Sequence, residues 1–87
     1  MKFITEQELT HHFSRNLKRL RRLQAPPVSQ RQLAGRLHVD RATIAKYESG
    51  RLLPSLCLAC NIARYFDISL ETLLSDNVSC TRKEESA

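Results

Sequence analysis

Apolar positions recur at helical intervals along the chain, and no stretch alternates with the two-residue period of a strand. Leu9, Phe13, Leu17 and Leu20 are spaced four, four and three residues apart, which predicts an apolar stripe on a first helix from about Glu6 to Leu23. Thr5-Glu6-Gln7-Glu8 fits a capping box at its start. Pro26-Pro27 ends it, because proline cannot continue the hydrogen-bond ladder and restricts the residue before it. Ser29 is the next N-cap, and Leu33, Ala34 and Leu37 give a core face for a two-turn second helix. His38-Val39 makes a turn, and Asp40 is expected to cap a third helix from about Arg41 to Ser49. Gly50 suits the C′ position, where positive φ is needed. Pro54-Ser55 opens a fourth helix whose expected apolar face is Leu56, Ala59, Cys60, Ala63 and Phe66, with Asp67 at its end. Ser69 caps a short fifth helix holding Leu70, Leu73 and Leu74. From Ser75 the chain is polar, with Val78 its only large aliphatic residue. The pattern predicts an all-α bundle over residues 1–75 and a disordered polar tail over 76–87.

Length changes little in this picture. The 87 residues suffice for one small domain, which buries only roughly 60% of its unfolded surface. The first apolar cluster is broken by Glu6, Gln7, Glu8, His11 and His12, unlike a signal peptide. No apolar run approaches the roughly 20 residues that span a bilayer. A soluble, cytoplasmic protein is the expectation.

Charge changes more. The net charge is +5, yet residues 15–51 hold ten cations against two acids, Asp40 and Glu48, for a local +8. The flanks are net acidic. A cationic middle suggests a polyanionic partner, although an ordinary solvated basic surface has the same composition.

On a wheel of about 100° per residue, the third helix splits cleanly. Ile44, Tyr47 and Glu48 fall on one side. Ala42, Ala45, Lys46 and Ser49 fall on the other, with Arg41 at the N-terminal corner. If Ile44 and Tyr47 face the core, the outer side is small residues plus two cations. Such a helix fits a major groove about 12 Å wide. Arg41 could bond guanine O6 and N7, Lys46 could reach a guanine edge or a phosphate, and Ala42 could touch a thymine methyl. An ordinary amphipathic surface helix remains the plainer reading of the wheel alone.

Ser29-Gln30, Leu33-Ala34, Val39, Thr43-Ile44, Tyr47-Glu48, Gly50 and Pro54-Ser55-Leu56 together resemble the Cro/repressor (XRE-type) helix-turn-helix domains, over roughly residues 17–74. The resemblance implies a compact five-helix bundle of the lambda-repressor-like type and a sequence-specific DNA-binding transcriptional regulator, usually a repressor acting as a homodimer. It also implies roles by position. Arg41, Ala42 and Lys46 match base-reading positions, with Ala45 close to the groove. Gln30 would contact a phosphate and brace the recognition helix, its backbone N–H favouring an anion. Thr43, Ser49 and Arg51 match positions that grip the DNA backbone. Glu48 matches an acid that pairs with an Arg late in the first helix, here Arg21 or Arg22, with Arg21 preferred. Three departures stand out. His38 replaces the usual turn glycine, Asp67 replaces the glycine that ends the fourth helix, and the loop from Gln24 to Val28 is about two residues longer than common.

Other chemistry is sparse. Cys57 and Cys60 form a C-x-x-C, but zinc needs four ligands, and core packing is the simpler expectation for Cys60. Cys80 makes an odd count, which argues against a disulfide framework. His11 and His12 read as surface residues. No catalytic constellation or phosphate-binding glycine loop is present, so no enzyme, cofactor, metal or small-molecule effector is expected. Two other functions fit less well: a protein-interaction module, antitoxin-like or an adaptor, and a thiol- or metal-responsive regulator. The dimer surface is expected at the fifth helix, near Leu52, Leu53 and Leu70.

Overall fold

The computed structural model describes residues 2–76 and is all-α over that range. Its helices are α1 (Glu6–Leu23), α2 (Gln30–Leu37), α3 (Arg41–Glu48), α4 (Leu56–Tyr65) and α5 (Leu70–Leu73). Four of them begin at a hydroxyl residue that accepts a first-turn N–H: Thr5, Ser29, Ser55 and Ser69. Thr5 with Glu8, and Ser29 with Gln32, form reciprocal capping boxes. Asp40 is the exception. Its backbone is extended as an N-cap requires, but its side chain makes no cap hydrogen bond. The carbonyl of Asp40 instead accepts from Thr43 and Ile44, at 3.0 and 3.3 Å. The third helix ends one residue short of expectation, with Ser49 as its C-cap.

Helices of eight residues do not persist alone in water, so α2 and α3 depend on what they bury. The core joins Phe13, Leu17 and Leu20 of α1 to Leu33 and Ala34 of α2, Ile44 and Tyr47 of α3, Ile62 and Ala63 of α4, and Phe66 and Leu73. Phe13 and Tyr47 meet edge to face at 5.6 Å. Each fully buried aliphatic or aromatic side chain supplies roughly 1.5–3 kcal/mol.

The apolar face of α4 differs from expectation. Leu56 is 74% exposed, whereas Ile62 is fully buried. Leu56 is the first residue of its helix and projects past the bundle. Cys60 is only half-buried and Cys57 is exposed, so Cys60 is a rim residue rather than a core residue. Leu53 and Leu70 pack half-buried against the core. Of the three leucines expected at a dimer surface, only Leu52 is exposed, at 42%.

Asn16 is a core polar residue with no forerunner in the apolar pattern. It is 1% exposed, and its Nδ2 donates to the carbonyls of Leu73 and Ser75, at 2.7 and 2.6 Å. Arg15 donates to the carbonyl of Asp76. Ser75 and Asp76 are thus tied to α1, and the expected polar tail lies outside the described residues from position 77. Among the described residues no helix is long and apolar enough to cross a membrane.

Candidate nucleic-acid interface

The turn between α2 and α3 sets the site. His38 takes φ 60° and ψ 43°, a left-handed conformation that lets the N–H groups of His38 and Val39 both reach the carbonyl of Ala34. Few residues other than glycine adopt it readily, and histidine is among the more tolerant. Asp67 does the same after α4, with φ 59°. The two positions where this chain departs from the usual glycines therefore keep the glycine-like backbone.

Within α3, Ile44, Tyr47 and Glu48 are buried. Arg41, Ala42, Lys46 and Ser49 are exposed, and Thr43 and Ala45 are half-buried. The outer face is open along the helix and carries two cations. Arg51 is exposed just beyond Gly50, which turns the chain at φ 80°.

A chain of hydrogen bonds holds this helix against the other elements. Arg21 grips Glu48 with two nitrogens: Nε donates to Oε2 at 2.7 Å and Nη2 to Oε1 at 2.9 Å. Gln30 Nε2 donates to the same carboxylate at 3.0 Å. The amide oxygen of Gln30 accepts from Arg41 Nη1 at 3.1 Å. One end of the relay is on α1, and the other is the guanidinium expected to read bases. Burial pushes the Glu48 carboxyl up, but the hydrogen bonds from Arg21 and Gln30 and the charges of Arg21 and Lys18 outweigh it, so it lies below its ordinary value. The hydrogen bond to Glu48 holds Arg21 above its own ordinary value, against the opposing effect of burial.

The long first loop does not disturb the pair, because it returns to Arg21. The N–H of Val28 donates to the Arg21 carbonyl, and Arg21 Nη1 donates to the Val28 carbonyl, each at 3.0 Å. The extra residues bulge outward between two fixed ends. Arg22 is exposed and takes no part in the pair.

Two expected backbone-contacting residues are engaged internally. The side chain of Gln30 is engaged between Glu48 and Arg41 and so braces the helix, while its backbone N–H lies in the first turn of α2, where no partner exists within the helix. The hydroxyl of Ser49 donates to the Lys46 carbonyl at 3.0 Å. Phosphate only accepts, so Ser49 must rotate its hydroxyl away from that carbonyl to bind one.

A family model described as a helix-turn-helix domain matches residues 12–74. The chain belongs to the helix-turn-helix domain family. No curated protein and no solved structure matches it significantly. Domains of this class bind DNA with the second helix of the motif in the major groove while the first crosses the backbone. In this helix-turn-helix domain those two helices are α3 and α2.

The resemblance implied that Gln30 braces the recognition helix, but its partner Arg41, eleven residues on across the turn, was not legible in the sequence. The remaining candidates stay apart from this face. No group of three His, Cys, Asp or Glu side chains among the described residues could hold a metal ion. His11 is exposed, but His12 is half-buried, and its Nδ1 has no partner among the described residues.

Proposed function

We propose that this helix-turn-helix domain is a sequence-specific DNA-binding transcriptional regulator of the XRE type, a repressor that acts as a homodimer in the cytoplasm. The observation that carries the reading is the open outer face of α3, with Arg41 oriented at its N-terminal corner by Gln30. In this reading Arg41 bonds a guanine edge and Ala42 packs on a thymine methyl. Lys46 reaches a base or phosphate deeper along the groove, and Ala45 lines its wall. The Gln30 N–H, Thr43, Ser49 and Arg51 hold the sugar-phosphate backbone. Small side chains at positions 42 and 45 let the helix approach the bases closely. The reading assigns no catalytic step, cofactor or effector.

Selection of bound sequences from a random DNA library, followed by gel shifts on the selected site, tests it. Arg41→Ala is expected to relax preference at one base by about 1–3 kcal/mol. Arg51→Ala is expected to weaken all sequences alike and to reduce the salt slope by about 1. No selectable site, or wild-type discrimination in Arg41→Ala, would overturn the assignment.

A further inference from the structure

The recognition face uses only a minority of the cations that make residues 15–51 basic. Arg41, Lys46 and Arg51 belong to it, and Arg21 is neutralised by Glu48. Four others, Arg15, Lys18, Arg19 and Arg22, lie on α1 at helical spacings of three and four. They occupy the side opposite the buried Phe13, Leu17 and Leu20. Together with Leu23, a residue 58% exposed, they form a shallow open patch along one side of α1.

No acid occurs on α1 after Glu8, and Arg21–Glu48 is the one ion pair among the described residues. Arg15 is partly engaged by the Asp76 carbonyl and half-buried Lys18 acts on Glu48, which leaves Arg19 and Arg22 as the stripe's most exposed, uncommitted cations. Like charges three and four apart on a helix repel, so this stripe works against the free bundle. A bound polyanion would relieve that repulsion.

We propose that this face of α1 docks an acidic amphipathic helix of a partner protein. A helix with carboxylates three and four residues apart presents them at the intervals of Arg19–Arg22 and Lys18–Arg22. The aliphatic stems of those side chains offer apolar surface beside their charges, and an apolar residue of the partner closes over Leu23. Leu23 is what favours a protein over a second DNA duplex, since a phosphate backbone offers it no apolar surface. The stripe shares no residue with the proposed DNA-facing set. The inference does not rest on DNA binding.

The test uses the full chain and a fluorescein-labelled synthetic helix of Glu, Ala and Leu, with Glu in that spacing and Leu at one end. A scrambled peptide of the same composition is the control. Fluorescence anisotropy should show binding of the patterned peptide that weakens between about 50 and 200 mM salt. Arg19→Glu with Arg22→Glu should lower the affinity roughly a hundredfold, and Leu23→Ser about tenfold. Both arginines are exposed, so the fold should survive, and Arg19→Gln with Arg22→Gln provides a milder pair with an intermediate loss. Equal binding of the scrambled peptide, or indifference to both arginine pairs, would overturn the proposal. So would a non-operator duplex that displaces the peptide and shows the same dependence on Leu23, which would make the stripe a nucleic-acid site.

Discussion

Glu48 stays ionised with only 2% of its side chain exposed because Arg21 supplies two hydrogen bonds and Gln30 a third. Removing one partner of such a pair strands the other, at a cost of about 3 kcal/mol or more, whereas replacing both with apolar residues of similar size costs far less. Arg21→Met should therefore destabilise the protein by about 3 kcal/mol in urea unfolding, and Arg21→Met with Glu48→Leu should recover most of the loss. A double variant no better than the single would show that the pair is not what stabilises this corner. The lowered carboxyl of Glu48 sets the sign with pH. Its contribution is complete above the ordinary carboxylate range and is lost as pH falls through the lowered value, when the folded state must take up a proton. Acid unfolding followed with and without Glu48→Gln checks this, since the variant should lose less stability over that interval. His38 poses a smaller question of the same kind. At φ 60° a Cβ costs about 1–2 kcal/mol, while glycine adds about 0.4–1 kcal/mol of unfolded-state entropy. His38→Gly should thus gain about 0.5 kcal/mol, or about 2–4 °C in Tm. A fall in Tm would mean that the imidazole makes a contact worth more than the strain.

The five helices show why caps and apolar faces are readable from local pattern while long-range polar links are not, the Arg21–Glu48 pair being expected only through the family resemblance. A cap is decided by three or four adjacent residues, and Thr5, Ser29, Ser55 and Ser69 all act as read. The division of α3 into a buried side of Ile44, Tyr47 and Glu48 and an open side also follows from periodicity, because one short helix has few ways to bury Ile44 and Tyr47 together. Periodicity misled at Leu56, since a first-turn residue can keep the apolar phase and still project beyond its neighbours. It was silent at Asn16, where an amide sits on the buried side of α1 between Phe13 and Leu20. That amide holds the shortest helix. With four residues, α5 cannot satisfy its own last carbonyls, and Asn16 Nδ2 satisfies that of Leu73 and, just past the helix, that of Ser75. Asn16→Leu keeps the branched heavy-atom shape and removes the donor, leaving both carbonyls without it. The expected cost is about 1–3 kcal/mol, with α5 amides exchanging hydrogen ahead of those of α1. Uniform exchange across both helices would show that α5 is held by Leu73 packing alone.

At the scale of the whole molecule, one protomer presents a single two-turn reading helix with few cations around it, which is a small contact for an operator. In the proposed homodimer a second copy would double the phosphate contacts without changing any of them. The surface left for pairing is narrower than the sequence suggested, because Leu53 and Leu70 are drawn into the bundle. Leu52 and Leu56 remain, four residues apart at the corner between α3 and α4, 42% and 74% exposed. Burial of both in each protomer would provide an apolar centre close to the recognition helices, so that two copies read half-sites about 34 Å apart. Leu52→Ser with Leu56→Ser should leave the melting temperature nearly unchanged, since exposed positions contribute within about 0.5 kcal/mol. If the protein pairs as proposed, light scattering should report a dimer for the wild type and a monomer for the variant. On a two-half-site operator the variant should lose affinity and show about half the wild-type slope of log K against log salt, since that slope counts phosphates neutralised in one binding event. Shifting one half-site by half a helical turn should impose the same penalty on the wild type and little on the variant. A wild-type protein that scatters as a monomer at high concentration, or a variant that keeps the full slope, would rule out dimerisation through this corner.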